Sequence, residues 1–242
     1  MLGQTRSGWV QACCLGFGIL FVAFSIGGLL QALVWPDDWP DPTALPSFDP
    51  ATGFGGVNPK LAADLYRANL VYHFIHITVF GGLIGWLQVR VLRARQIRLR
   101  TWVLVTALGF SSIFIFEVFR PGVVTGGHPA PIEPLLIAVG GGVFAGVYQW
   151  LYMRQRGVVA TKWLALWVVG LCTGAVAAAV ALTFVGFLGP VMRSILPQDR
   201  LFAVSQFVFY LIYGPTVGAV AGLLSGGAIM DAVAATAEVG AT

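Results

Sequence analysis

The stretch GGLIGWLQVRVLRARQIRLRTWVLVTALGF, residues Gly81–Phe110, closes one apolar segment, crosses an arginine-rich turn and opens the next apolar segment. Shifted by 61 positions, it aligns without a gap against Gly142–Leu171, with seven identities in 30 positions. The identities are glycines, a glutamine, arginines and a tryptophan, whereas the apolar residues around them are mostly Val, Leu and Ala. Self-similarity at a fixed period is the signature of a repeat architecture. We therefore expect the chain to be built from repeated units.

The composition is that of a membrane protein. Hydrophobic residues make up 57% of the 242 residues, charged residues only 10%, and the mean hydropathy is +0.83. Soluble domains carry about 25% charged residues, and an apolar stretch of about 20 residues spans a bilayer as a helix. We therefore predict an all-α integral membrane protein, a single membrane domain over residues 1–242. Its six transmembrane helices are expected near residues 9–35, 59–92, 101–119, 134–153, 163–188 and 201–230.

Two patterns alternate along these six stretches. The odd-numbered stretches carry a Trp seven residues before a Gly, and the even-numbered stretches carry two glycines at G-x3-G spacing. The pairs are Trp9 and Gly16, Trp102 and Gly109, Trp163 and Gly170, then Gly81 and Gly85, Gly142 and Gly146, Gly218 and Gly222. We therefore predict three repeated helical hairpins, covering approximately residues 9–93, 102–154 and 163–230.

Each part of the predicted hairpin has an expected role in packing. Tryptophan favours the membrane interface, so we expect the three repeated tryptophans to anchor at headgroup depth. The G-x3-G spacing places two glycines on one helix face, where a neighbouring helix approaches closely. Gln88 and Gln149 follow these glycines by about one turn, and glutamine side chains hydrogen-bond between membrane helices. We therefore assign the six G-x3-G glycines and the two glutamines to helix packing.

The distribution of basic residues predicts the topology. Six spans place both termini on one side of the membrane, and nine of the 14 Lys and Arg residues lie on that side. Because cytoplasmic segments carry the excess of Lys and Arg, both termini are predicted to be cytoplasmic. The proline- and aspartate-rich segment 36–60 then forms an outer loop. We expect the membrane to be a bacterial inner membrane or a thylakoid-type membrane, and the basic turns account for the net charge without nucleic acid.

A short motif in the repeat resembles one in other membrane proteins. Gly146–Arg154, with the sequence GVYQWLYMR, carries the pattern G-x-x-Q-W-hydrophobic-x-hydrophobic-R. The pattern resembles uncharacterised multi-pass proteins found mainly in cyanobacteria and related bacteria. The resemblance covers about residues 81–172, and the first copy departs from it with Val89 at the tryptophan position. It implies no activity, so no functional residue is carried over from it.

Two histidines are the candidate functional residues. His73 and His76, in YHFIH, are spaced i and i+3 and so share one helix face near the outer end of the second span. Ionisable residues inside a membrane are candidates for function. Together with His128 they are candidates for binding haem or a chlorophyll-type pigment, and together with Glu117 for binding a transition metal. The alternative is that both histidines bond only to Tyr72, backbone or water.

Three functions remain open from the sequence. The leading one is a non-catalytic scaffold or accessory subunit, with the lipid bilayer and other membrane protein subunits as partners. The second is a small-molecule or ion transporter, or its substrate-binding component, with a central cavity lined by Gln88, Gln149, Ser205 and Gln206. The third is a haem-, metal- or pigment-binding subunit. The sequence resembles neither a nucleophile elbow nor a P-loop nor an H-E-x-x-H zinc site, so we do not expect an enzyme.

Overall fold

The computed structural model describes residues 5–34, 59–92, 99–119, 132–186, 194 and 198–239. In these ranges the regular structure is entirely helical, which confirms the predicted all-α class. We number six helices α1 to α6. Four of them are regular throughout: α1 at Arg6–Val34, α2 at Pro59–Leu92, α5 at Thr161–Gly186 and α6 at Gln198–Val239. Helix α3 begins at Leu99–Ser111 and continues through a 3-10 turn at Ser112–Phe114 into Ile115–Phe119. Helix α4 begins at Ile132–Leu135 and continues through a π-helical stretch at Leu136–Gly141 into Gly142–Gln155.

Each of the six helices contains a segment that is long and apolar enough to cross a membrane. This confirms the prediction of a multi-pass membrane protein that contacts the lipid bilayer. The helical form follows from the solvent, because lipid cannot hydrogen-bond backbone groups and each span must satisfy them internally. The segments are Arg6–Ile26, Leu70–Leu92, Arg100–Phe119, Leu136–Gln155, Thr161–Thr183 and Phe207–Ala235.

The helices pack in chain order and close into a ring. Each helix contacts the next one along the chain, and α6 packs back on α1 over the most extensive helix–helix contact of the described residues. Small residues allow this close approach, because Gly18 of α1 leaves room for the ring of Pro215, which lies inside α6. A ring closed in this way brings the N-terminal and C-terminal helices together.

Aromatic side chains of α1, α3 and α5 fill the inside of the ring. Trp9 lies edge-on to both Trp163 and Trp167, with ring centroids 6.4 Å apart in each pair. Phe17 contacts Phe110 at 5.8 Å and Trp167 at 6.2 Å. All five side chains are fully buried. Helices that are not neighbours along the chain are therefore joined through rings at the centre.

The expectation that the repeated tryptophans anchor at the membrane interface is wrong. Trp9, Trp102 and Trp163 are each 0% exposed and point into the bundle. Their position near a helix end indicates their depth but not the direction in which they face, and packing between helices turned them inward. Among the tryptophans that the structure describes, Trp86 and Trp150 are half-buried, and each lies one helical turn before an arginine.

The glycines of the two sequence patterns lie at helix contacts. A Cβ on Gly16, Gly109 or Gly170 would collide with the helix that follows in the chain, at Ile84, Ala145 and Ala221 respectively. A Cβ on the G-x3-G glycines would also collide with a neighbouring helix. Gly81 and Gly85 face Phe110 and Thr106 of α3, Gly142 and Gly146 face Leu171 and Trp167 of α5, and Gly218 and Gly222 face Cys13 and Val10 of α1.

Candidate functional site

A network of buried hydrogen bonds joins α2, α3 and α4. The Gln149 side-chain amide donates to Gln88 Oε1 and to Thr106 Oγ1, both at 2.7 Å. Thr106 Oγ1 in turn donates to the carbonyl oxygen of Trp102, also at 2.7 Å. Gln88 Nε2 lies 3.8 Å from Cys13 Sγ and so extends the network to α1. The side chains of Gln88, Thr106 and Gln149 are at most 1% exposed. Their hydrogen bonds join the three helices at one depth.

Two atoms of this region have no hydrogen-bond partner. They are the Gln149 side-chain oxygen and the Trp102 indole N–H. An unpaired polar group buried in a nonpolar interior costs roughly 1–3 kcal/mol. The three short bonds of the network therefore hold the helices together despite that cost.

The structure brings together only some of the residues that were predicted to line a transport cavity. Gln88 and Gly218 both lie against Cys13, so they share a depth in the membrane. Ser205 precedes Gly218 by 13 residues along α6, which places it about 20 Å further along the helix axis. Ser205 is exposed, and the side chain of Gln206 lies outside the described residues. The two glutamines of α2 and α4 are thus joined to each other, while Ser205 lies far from them.

Replacing Gln149 by leucine is expected to destabilise the fold by about 1–3 kcal/mol. The change removes two interhelical bonds, each worth roughly 0.6–2 kcal/mol in a membrane, and leaves Gln88 Oε1 unpaired. The free energy of unfolding can be measured by sodium dodecyl sulfate titration in mixed micelles. Gln11→Leu is the matched control, because Gln11 is exposed on α1. An equal loss of stability in both variants would show that the network does not stabilise the fold.

His73 and His76 lie between α1 and α2 in an aromatic cage. Both imidazoles are 8% exposed. The ring of Phe24 on α1 lies 4.0 Å from that of His76 and 5.2 Å from that of His73. The ring of Tyr72 contacts both imidazoles, and the ring of Phe80 contacts that of His76. His76 Nε2 lies 3.2 Å from the carbonyl oxygen of Leu20. Because a carbonyl only accepts, Nε2 carries the proton, and His76 links α2 to α1.

The structure does not assemble the predicted metal ligands. Glu117 is buried in the last turn of α3. Within the described ranges, no three side chains of His, Cys, Asp or Glu are grouped closely enough to hold a metal ion, and this includes His73, His76 and Glu117. The third predicted haem or pigment ligand, His128, lies outside the described residues, as do residues 36–58 of the predicted outer loop.

Two features of the site were missing from the sequence interpretation. Thr106 occupies the position of Trp167 in the aligned segments, and each contacts the second glycine of a G-x3-G pair, Gly85 or Gly146. A lone threonine in an apolar stretch was the only signal for it. The second feature is a set of arginines that lie over aromatic rings one turn earlier, at the ends of α2 and α4. Their i, i+4 spacing was present in the sequence.

Comparison with known proteins assigns no family to the chain. No protein-family model, no curated protein and no solved structure matches it.

Proposed function

We propose that the chain is a non-catalytic membrane subunit, a scaffold or accessory component that packs against other membrane proteins. The observation that carries this proposal is which side chains fill the described interior. Its centre is filled by aromatic rings, and its glutamines bond to each other across helices. An interior of this kind holds the helices in place, so we assign the contacts with other proteins to the outer surface.

An aromatic face on the outside of α2, α3 and α4 supports this role. Phe119 is 80% exposed and Phe74 is 47% exposed, and Phe74 contacts Phe114 with ring centroids 5.4 Å apart. Phe116 on α3 and Tyr148 on α4 are each 38% exposed. Aromatic residues are enriched at protein interfaces and supply much of their binding energy. The outward face of α5 differs, since its exposed large residues include Val169, Val176 and Val180.

Native mass spectrometry on protein gently extracted from its own membrane tests the proposal. We expect a second polypeptide at fixed stoichiometry beside the 25.8 kDa chain. The double variant Phe74→Ala with Phe119→Ala should lose that polypeptide, because it removes the most exposed rings of the aromatic face. The double variant Val176→Ala with Val180→Ala on α5 is the matched control and should retain it. A bare chain that carries only lipid, or equal loss in both variants, contradicts the proposal.

A second candidate function is the binding of haem or a chlorophyll-type pigment at the aromatic cage of α2. It is favoured by the burial of two imidazoles among rings inside a membrane-spanning segment. In this proposal His73 holds the group, on the helix face that it shares with His76. His73→Ala should then abolish visible absorbance of the purified protein, whereas Tyr72→Phe should retain it. An unchanged spectrum in the His73 variant excludes this function.

The proposed subunit is built from three copies of one hairpin with both termini in the cytoplasm. Support comes from Gly16, Gly109 and Gly170, each of which abuts the returning helix of its own hairpin. The excess of Lys and Arg on the side of the termini supports the orientation. Reporter fusions test it, since a C-terminal fluorescent protein should fold and a C-terminal alkaline phosphatase should stay inactive. The reverse result would place both termini outside.

A further inference from the structure

Arginines at the ends of α2 and α4 lie over aromatic rings of the same helix. The guanidinium carbon of Arg90 lies 4.1 Å from the ring centroid of Trp86, and that of Arg154 lies 5.5 Å from Trp150. Arg156, just beyond α4, lies 5.7 Å from the ring of Tyr152. Arg90 and Arg154 are exposed and their tryptophans are half-buried. We call Trp86, Arg90, Trp150 and Arg154 the arginine–tryptophan collar.

Arg90 lies two residues beyond Gln88 and Arg154 five residues beyond Gln149, so the two positive charges of the collar differ in depth by only about 4.5 Å. The bond between Gln88 and Gln149 fixes α2 and α4 at the same level, and both tryptophans lie within two residues of those glutamines. Helical side chains lean toward the N-terminus of their helix. Since both helices end at this side of the membrane, the arginines lean back toward the bilayer rather than into water. Tryptophan favours headgroup depth, so the two guanidinium groups are drawn to the level of the lipid phosphates.

We propose that each arginine–tryptophan pair of the collar binds the phosphate of an anionic phospholipid headgroup. Arginine matches phosphate through two parallel hydrogen bonds, and basic residues beside a membrane span attract anionic lipids. The tryptophan rings cover one face of each guanidinium and hold it in place for this contact. The corresponding end of α6 carries Met230 and Asp231 and no arginine–tryptophan pair in its last described turns. The cation that lies against α6 there, Arg6 of α1, donates to the Leu223 carbonyl oxygen.

Lipid titration of the full chain by native mass spectrometry tests the site. The probes are phosphatidylglycerol and phosphatidylcholine added to the protein in detergent. We expect the wild-type chain to prefer phosphatidylglycerol, and Arg90→Gln with Arg154→Gln to lose about 5-fold in that affinity per arginine. The matched control is Arg100→Gln with Lys162→Gln, which removes the same charge from two exposed residues of the same side. It should lose much less, and equal loss in both pairs overturns the proposal.

Two further variants separate the contact from charge and from folding. Trp150→Leu keeps every charge and should still weaken phosphatidylglycerol binding several-fold. Arg154→Lys keeps the charge but not the paired geometry, so it should also weaken binding while the protein stays folded. Unchanged binding in both variants overturns the proposal. Inorganic phosphate at millimolar concentration should leave lipid binding unaffected, and displacement by it would identify a site for the free anion instead.

Discussion

Gly218→Ala is expected to destabilise the bundle by about 3 kcal/mol or more. A Cβ at this position would press into the carbonyl group of Cys13 and the Cα of Cys14, well inside van der Waals contact. These are backbone atoms, so no side-chain rotation can relieve the collision and α6 must move away from α1. Alanine gains about 1 kcal/mol of helix propensity over glycine, which is smaller than the cost of separating the two helices.

Gly227→Ala is the matched control for this prediction. It lies on the same helix nine residues later, and a Cβ there would meet no atom within 4 Å. Only the propensity term remains, so this variant should be unchanged or more stable by up to about 1 kcal/mol. The free energy of unfolding of both variants can be compared by sodium dodecyl sulfate titration. Equal stability of the two variants would contradict the close contact of α6 with α1.

Trp167→Ala is expected to cost about 3 kcal/mol, the lower end of the range for such truncations. Trp167 is 1% exposed, contacts Trp9, Trp163 and Phe17, and donates its indole N–H to the Gly142 carbonyl oxygen at 2.8 Å. The lower end applies because the unfolded helices remain in lipid, so the lost stabilisation comes from packing and one hydrogen bond rather than from exclusion of water.

Two variants divide this loss into its parts. Trp167→Phe keeps a ring at the centre and removes the bond to Gly142, so it should cost less than the alanine variant. Val169→Ala truncates a residue of α5 that is 53% exposed, and its effect should stay within about 0.5 kcal/mol. Thermal denaturation in detergent, followed by tryptophan fluorescence and circular dichroism, ranks the three. A loss in Val169→Ala as large as that in Trp167→Ala would contradict an aromatic centre.

The positions of the spans could be predicted because lipid imposes them. The predicted first span began at residue 9 and the membrane-spanning segment begins at Arg6, while the predicted second helix at 59–92 coincides with Pro59–Leu92. Apolar length alone carries this information, since every backbone group in lipid must be bonded within its own helix. The equivalence of Gln88 and Gln149 was also visible, because they align at the 61-residue shift.

The register between helices could not be read from the pattern. Gly81 lies against Phe110, and the aligned residue of α1 is Phe17. In the repeat, Gly218 of α6 is equivalent to Gly81, so it would be expected to lie against Phe17. Gly218 instead lies against Cys13. The glycine next to Phe17 is Gly214, where a Cβ would be 2.5 Å from the Phe17 carbonyl oxygen. The contact of α6 with α1 is therefore displaced by one helical turn. Several glycines at four-residue spacing make more than one register sterically possible, and the closed ring selects among them.

The sequence by itself determined six helices that are long and apolar enough to span a membrane, their approximate positions in the chain, and the position of each repeated Trp, Gly and Gln along its helix. Only the tertiary structure decided that Trp9, Trp102 and Trp163 face inward, that Gln149 bonds to Gln88, and that His76 donates to α1. The physical reason is that position along a helix is set by the apolar length and fixed rise of that helix alone. Rotation about the helix axis and sliding against a neighbour are set by close packing with side chains that other helices contribute.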